Sequence, residues 1–335
     1  MSTAAARRHA TPTGTRWTAL RAPEKGWARP SADWAREHSS WPPGRSGLPR
    51  ALATSAGALA AIGAALRLRR DGVAAPADVQ RRLDEVLAVL DIPPLDTLDA
   101  AQASRVSEIV SSVLRHALEL LDNPVRPAGW NHTDTAFLEA QGSASRMVVH
   151  LIARAAETRP ALAALLSRPG AFLDVGTGVG WLAIEAARVW PALRVVAIDI
   201  WEPSLARARQ NIAASGLEGR IELRAQDVMA LPDRAAFSLA WLPLPFFKAA
   251  ALPAVLARVH ETVRPGGWVV CGLETMPEDP LARAVSTLRL VRGGGEISAP
   301  ADVVPLLAAA GFEGVEIAPA GLLTFVLGRR RGADL

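Results

Sequence analysis

The chain of 335 residues contains one cysteine and no tyrosine. A single thiol excludes a disulfide framework and any zinc or iron–sulfur centre built from cysteines, so no metal is expected and a reducing cytoplasm fits. Cys271 sits in the apolar run WVVCGL and reads as a packed core thiol. With tyrosine absent, the search for a general base turns to the six histidines. Long, strongly apolar runs are missing too. ALATSAGALAAIGAALRL (51–68) is uncharged until Arg67 but mostly alanine and glycine, whereas a membrane helix needs about 20 strongly apolar residues. A proline-rich preface of this length does not suit a signal peptide either. No membrane attachment is expected, and the segment reads as a mobile helix or as sequence upstream of the true translation start. Lysine is nearly absent, 2 against 35 arginines, the pattern of codon bias in a GC-rich bacterial genome. The net charge of +4 divides into +9 for residues 1–70 and −5 for the remainder. The folded part therefore lacks the basic surface that nucleic acid demands, and no nucleic-acid partner is expected.

Residues 1–48 mix Pro, Gly, Ser and Arg with isolated tryptophans and show no apolar period, so the basic leader, residues 1–75, is expected to be disordered. From Pro76, Val79, Leu83, Val86, Leu87 and Leu90 recur at helical spacing. A second helix after IPPLD carries an apolar stripe from Val106 to Leu121 too wide for one neighbour, so it should be covered on two sides. A third, capped by Thr133 or Asp134, runs through FLEAQGSASRMVVHLIARAAE. Residues 76–160 thus read as an all-helical domain, a substrate lid that also offers a homodimer contact.

Strand and helix then alternate. AFLDV, RVVAIDI, RIELRA, FSLAWL and GWVVCGL are strands separated by helices, and GVEIA and LLTFVLG close the chain with no helix between them. The expected architecture of 161–335 is α/β: a Rossmann-like, doubly wound, mostly parallel seven-stranded sheet with an antiparallel last strand.

Between the first strand and its helix stands FLDVGTGVGW. Glycines at 176, 178 and 180 let a ligand approach backbone that side chains would otherwise shield. A dinucleotide fingerprint would place its third glycine where Trp181 stands, and no Gly-Lys-Ser/Thr follows, so pyrophosphate and P-loop ligands are disfavoured. Asp199 ends the second strand, where a carboxylate can accept both hydroxyls of a ribose. A nucleoside without phosphates fits. Asp227, after the third strand, could hold an adenine amino group; taken alone it reads equally as a turn or helix cap.

LDVGTGVGWLAIEAA, VVAIDIWEPSLARARQNI, IELRAQDVMALP, AWLPLPFF and VRPGGWVV together resemble the class I S-adenosylmethionine-dependent methyltransferases over residues 170–330. The resemblance implies S-adenosyl-L-methionine as cofactor. It places Asp174 and the loop Gly176, Thr177, Gly178 and Gly180 beside the methionine portion, Asp199 on the ribose and Ile200 on the adenine. Asp227 would meet the adenine amine beside the Val228 backbone, and Leu242 would close the far side. Pro243 stands where DNA- and protein-glutamine-methylating relatives carry asparagine, which removes those substrate classes.

Methyl transfer is an in-line displacement, so the enzyme must align the acceptor atom in a dry pocket and take a proton from a hydroxyl acceptor. His132, in GWNHTD where a lid would pass, is the expected base, with capping or packing as its alternative. Trp130 and Gln141 are expected lid contacts. His116, His150 and His260 read as solvated or packed helix residues. Trp241, Phe246 and Phe247, after the fourth strand, read either as an apolar acceptor pocket or as core. The expected function is methylation, O- before N- or C-, of a small hydrophobic or aromatic metabolite of specialised metabolism. The rivals are a non-methylating rearrangement, cyclisation or decarboxylation on the same cofactor, a scaffold with a vestigial site, and a nucleic-acid methyltransferase guided by the leader.

Overall fold

The apolar period changes from 3.6 to 2 residues near position 170, and the architecture changes with it. The computed structural model describes residues 48–90, 95–296 and 299–332. The expected disorder of residues 1–47 lies outside them.

Helix α1, Leu48–Asp71, crosses the boundary between a first unit, residues 1–56, and a second, residues 57–335, which holds everything that follows. The leader therefore ends earlier than expected. Leu66 is fully buried, and a β-carbon on Gly63 would stand 3.2 Å from Val110. Helices α2, Ala77–Val89, and α3, Ala100–Asp122, follow. Asp99 starts α3 with a reciprocal box: its carboxylate accepts the Gln102 amide, and the Gln102 side chain accepts the Asp99 amide. The α3 stripe is not covered on two sides. Val113, Leu118 and Leu121 stay exposed, and α2 buries no residue.

The third expected helix is two: α4, Thr135–Ala144, and α5, Arg146–Glu157. Asp134 caps the first by accepting the Phe137 amide at 2.7 Å. At the break, the Ser145 hydroxyl and amide both donate to the Gly142 carbonyl, at 2.6 and 3.0 Å. A serine that bonds its own backbone in this way competes with the helical ladder, and the run Gly142, Ser143, Ser145 has low helix propensity.

After α6, Pro160–Leu166, seven strands form one sheet in the order β3-β2-β1-β4-β5-β7-β6. They are β1 Gly170–Val175, β2 Leu193–Asp199, β3 Ile221–Ala225, β4 Phe237–Pro243, β5 Val263–Glu274, β6 Phe312–Ala320 and β7 Leu323–Arg330. β7 runs antiparallel to both β5 and β6, and β1 to β5 pair in parallel. The intervening helices are α7 Trp181–Val189, α8 Glu202–Ala214, α9 Leu252–Thr262, α10 Pro280–Arg292 and α11 Pro300–Ala309. Alternation along β1 sends Phe172 to one face and Leu173 and Val175 to the other. The first face packs under α5 and α7 through Val149, Ile152 and Ile184; the second packs under α9 and α11 through Val255, Leu256, Val303 and Leu307. Covering both faces is what a parallel sheet requires, and it leaves the carboxyl ends of β1, β2 and β4 as the open edge for a ligand.

Candidate active site

The glycine loop leaves β1 at that edge. Gly176, Gly178 and Gly180 all have positive φ, at 69°, 57° and 84°, so the loop's curvature needs residues without a β-carbon. The Gly176 and Thr177 amides both donate to the Ile198 carbonyl, at 2.9 and 3.0 Å, which sews the loop onto β2. Gly180 starts α7; a β-carbon there would stand 3.3 Å from that of Ala208 in α8.

Two carboxylates flank the loop. Asp174 is buried: its Oδ2 accepts the Thr177 hydroxyl at 2.6 Å, while Oδ1 has no partner. Burial pushes its carboxyl up to about 7, against the Thr177 hydrogen bond and with a contribution from nearby Asp199. Asp199 accepts the Gly178 amide on Oδ2 and the Trp201 amide on Oδ1, each at 2.8 Å. Burial raises its carboxyl, and the amides of Trp201, Gly178 and Ile200 offset part of that rise. Each carboxylate oxygen has two lone pairs, so Asp199 keeps acceptor capacity for ribose hydroxyls. The orphaned Asp174 Oδ1 suits a donor from the ligand, since an unpaired buried acceptor costs about 1–3 kcal/mol until one arrives. The residues present fit S-adenosylmethionine.

Of the expected adenine contacts, Ile200 is exposed, and Val228 and Leu242 are buried in one cluster. Asp227 is exposed and caps the short turn Val228–Ala230 through the Met229 amide at 2.9 Å.

An aromatic cluster gathers the expected lid residues. Trp130 meets His132 edge-on with centroids 5.1 Å apart, and Phe246 likewise at 5.3 Å. His132 is buried and stacks on Phe137 at 3.9 Å and 23°, and the His116 ring is tilted against Phe137 at 4.8 Å. Burial first, then the Arg126 charge, pushes the His132 imidazole down to about 4. Gln141 accepts the Ser112 hydroxyl at 3.1 Å. The fourth-strand aromatics divide. Trp241 is turned into the core, lying over Gly272 and 5.8 Å from Phe325, because strand alternation sends it beneath the helix-covered face; Phe247 packs on the opposite face. Core packing accounts for both. His260 meets Phe312 edge-on at 4.9 Å, and His150 bonds Glu185 at 2.8 Å.

The residues tying the helical part to the loop were not among those the sequence singled out. Glu139 of α4 accepts Trp181 Nε1 at 2.7 Å, Asn211 Nδ2 at 2.8 Å and the Arg207 guanidinium. Burial opposes its charge, but these donors hold its carboxyl below the usual range. Trp201 Nε1 donates to the His132 carbonyl at 2.7 Å. On the other side, Glu119 accepts both Arg126 and Arg292. The sequence signal for these residues was a pair of tryptophans, Trp181 after the glycine loop and Trp201 after β2.

Residues 172–267 match the family described as "Methyltransferase domain". The chain is 40% identical over 119 residues to the ribosomal protein L11 methyltransferase of Sorangium cellulosum, covering 35% of this chain and 36% of that one. Other curated relatives are named for protein, RNA and quinone acceptors, and the chain spans between 36% and 58% of the length of the first four. In fold, it is similar to human N-acetylserotonin methyltransferase in complex with S-adenosylmethionine, with a TM-score of 0.59 at 19% identity, covering 88% of this chain and 99% of that one. It is also similar to an O-methyltransferase family protein of Burkholderia thailandensis, with a TM-score of 0.58 at 18% identity, covering 84% and 97%. Its strand order, its glycine loop and the match over residues 172–267 identify that stretch as a methyltransferase domain with the fold of the class I S-adenosylmethionine-dependent methyltransferases.

Proposed function

We propose that this protein methylates a hydroxyl group on a small hydrophobic or aromatic metabolite. The reading rests on the cluster of His116, Trp130, His132, Phe137 and Phe246, drawn from α3, the following loop, α4 and the turn after β4. Rigid aromatic walls of this kind exclude water and favour a flat apolar ligand. The bound cofactor supplies a methyl group on a positively charged sulfur. The chain's own work is to hold it with Asp174, Gly176, Thr177, Gly178, Gly180 and Asp199. Ile200, Asp227, Val228 and Leu242 frame the adenine, and Trp130, Gln141 and Phe246 hold the acceptor in line. In this reading residues 76–160 are the lid and 161–335 the cofactor domain.

Relatives named as glutamine methyltransferases do not set the acceptor here, because Pro243 supplies no side-chain amide at the end of β4. The exposed Val113, Leu118 and Leu121 on α3 support a homodimer through the helical part. Among the described residues no helix is long and apolar enough to cross a membrane, and we place the enzyme in the cytoplasm and in specialised metabolism.

The test is mass analysis of reactions with the cofactor and a panel of phenols, hydroxyquinones and hydroxyindoles. The expected result is a mass gain of one methylene with stoichiometric S-adenosylhomocysteine. An isomer, or loss of carbon dioxide, without S-adenosylhomocysteine would replace this reading with the non-methylating one.

A further inference from the structure

Transfer between two bound molecules needs both held in one frame, so a side chain that touches both subsites can set their register. We propose that Trp201 is a positioning residue that couples the ribose end of the cofactor site to residues 130–132, so that a bound cofactor organises the acceptor wall. Naming that wall rests on the proposed hydroxyl methylation; the coupling itself rests on hydrogen bonds and strand order.

Trp201 opens α8, two residues beyond the carboxylate expected to receive the ribose. Its two N–H groups serve two partners. The backbone amide donates to Asp199 Oδ1 at 2.8 Å, while Asp199 Oδ2 takes the Gly178 amide at the same distance. The indole Nε1 donates to the His132 carbonyl at 2.7 Å. One residue therefore joins the ribose carboxylate to a carbonyl 69 residues earlier in the chain. The joint is stiff. The Leu205 amide of α8 returns to the Trp201 carbonyl at 3.1 Å, and an indole turns about only two side-chain torsions.

The strand order β2-β1-β4 shows where residues 130–132 run. At one end the His132 carbonyl is bound to the turn after β2; at the other the Trp130 ring lies edge-on to Phe246, in the turn after β4, at 5.3 Å. β1 pairs with both strands and lies between them. Neighbouring strands are about 4.8 Å apart, so the ends of β2 and β4 are separated by about 10 Å, the span of about three extended residues. Residues 130–132 thus cross the carboxyl end of β1, where the glycine loop leaves the sheet. Before the crossing, Arg126, held by Glu119, fixes the chain as far as Asn131; after it, Asp134 caps α4. Trp201 supplies the fixed point between them, at the residue whose imidazole stacks on Phe137.

Ribose hydroxyls donating to the free lone pairs of Asp199 immobilise the carboxylate, and with it the backbone that carries the indole. Residues 130–132 are then ordered before the acceptor arrives. Cofactor binding comes first and strengthens acceptor binding, and by linkage the acceptor strengthens cofactor binding by the same factor.

Trp201→Phe removes the indole N–H while keeping an aromatic ring and the backbone amide on Asp199. Hydrogen exchange with and without S-adenosylhomocysteine reads the coupling without turnover. In the wild-type protein the ligand should slow exchange across residues 129–133 by at least about fivefold, the low end of ordinary coupling factors. In Trp201→Phe that protection should be lost, while residues 176–180 stay protected in both proteins, which shows that the site is filled. Trp201→Leu, smaller and equally without a donor, repeats the test should phenylalanine crowd this half-buried site. A bond that only held the fold would raise exchange by the same factor with and without the ligand, and a protection ratio equal to wild type would overturn the coupling. So would a wild-type protein protected at residues 176–180 but not at 129–133. A wild-type enzyme that methylates no hydroxyl would instead overturn the proposed function, with the exchange result still judging Trp201.

Discussion

Gly142 of α4 lies so close to Val179 of the glycine loop that a β-carbon on Gly142 would overlap the Val179 Cγ2 methyl. Val179 is buried and its carbonyl accepts Asn211 Nδ2 at 3.0 Å, so the loop has no room to yield. Helix propensity alone would make Gly142→Ala stabilising by about 1 kcal/mol. The contact predicts the opposite sign: a loss of about 1–3 kcal/mol from overpacking, with weaker cofactor binding because the displaced methyl distorts the loop. Thermal melts with and without S-adenosylmethionine check it, and a raised melting temperature with unchanged affinity would refute it.

How much of this could be read from the chain differs by region. The seven strands and the glycine loop were legible because alternation, turn glycines and a strand-end carboxylate are local signals. The break at Ser145 was not, because FLEAQGSASRMVVHL keeps a helical period through it and only hydrogen bonds to Gly142 decide the kink. Trp241 was ambiguous for a similar reason: sequence gives its place at the sheet edge but not that its ring lies over Gly272. Helix α10 went unnoticed, and with it Arg289 and Arg292, whose partners Glu274 and Glu119 are 15 and 173 residues away in sequence. Pairings across that distance leave no pattern in a single sequence.

Glu119 fixes the loop that carries Trp130 and His132. It accepts Arg126 Nε at 2.6 Å and Arg292 Nη2 at 2.9 and 2.8 Å. Arg126 Nη1 continues to the Gly129 carbonyl at 2.8 Å and Asn131 Oδ1 at 2.7 Å, and the Gly129 amide returns to the Arg292 carbonyl at 3.0 Å. Burial opposes the charge on Glu119, but the two guanidiniums hold its carboxyl below the usual range. Glu119→Gln keeps the shape and leaves two guanidiniums facing a neutral amide, at a cost of about 1–3 kcal/mol. Hydrogen exchange should then accelerate across residues 123–132 and the acceptor KM should rise several-fold, with cofactor affinity unchanged. Unaltered exchange there would show that the loop is held by other contacts.

Asp174 and His132 give the protein opposite pH dependences. The Asp174 carboxyl rises to about 7, so the folded state binds a proton that the unfolded chain has released above about pH 4. Its contribution is full below that pH and is lost as pH rises through 7. The His132 imidazole falls to about 4, so the unfolded chain takes up a proton that the fold refuses, and stability drops as pH falls from about 6.5 toward 4. Asp174→Asn should remove the alkaline loss, worth up to about 4 kcal/mol at roughly 1.4 kcal/mol per unit. The cofactor-free variant should melt higher than wild type at pH 8, with the difference shrinking steadily toward pH 4, while binding S-adenosylmethionine more weakly. Equal melting curves at pH 8 would mean that Asp174 ionises without strain.

Trp241 and Gly272 face each other on β4 and β5, and a β-carbon on Gly272 would overlap the indole at Cη2. Gly272→Ala alone should therefore destabilise the sheet, and Trp241→Ala alone should cost about 3–5 kcal/mol through the cavity left against Phe325. The two changes share one space, so they should not add: the alanine at 272 points into the volume the indole vacated, and the double variant should be more stable than the sum of the singles predicts. Urea unfolding of the four proteins gives the coupling energy directly. If Trp241 lined the acceptor pocket instead, Trp241→Ala would leave the unfolding midpoint nearly unchanged and raise the acceptor KM, and Gly272→Ala would be equally damaging in either background.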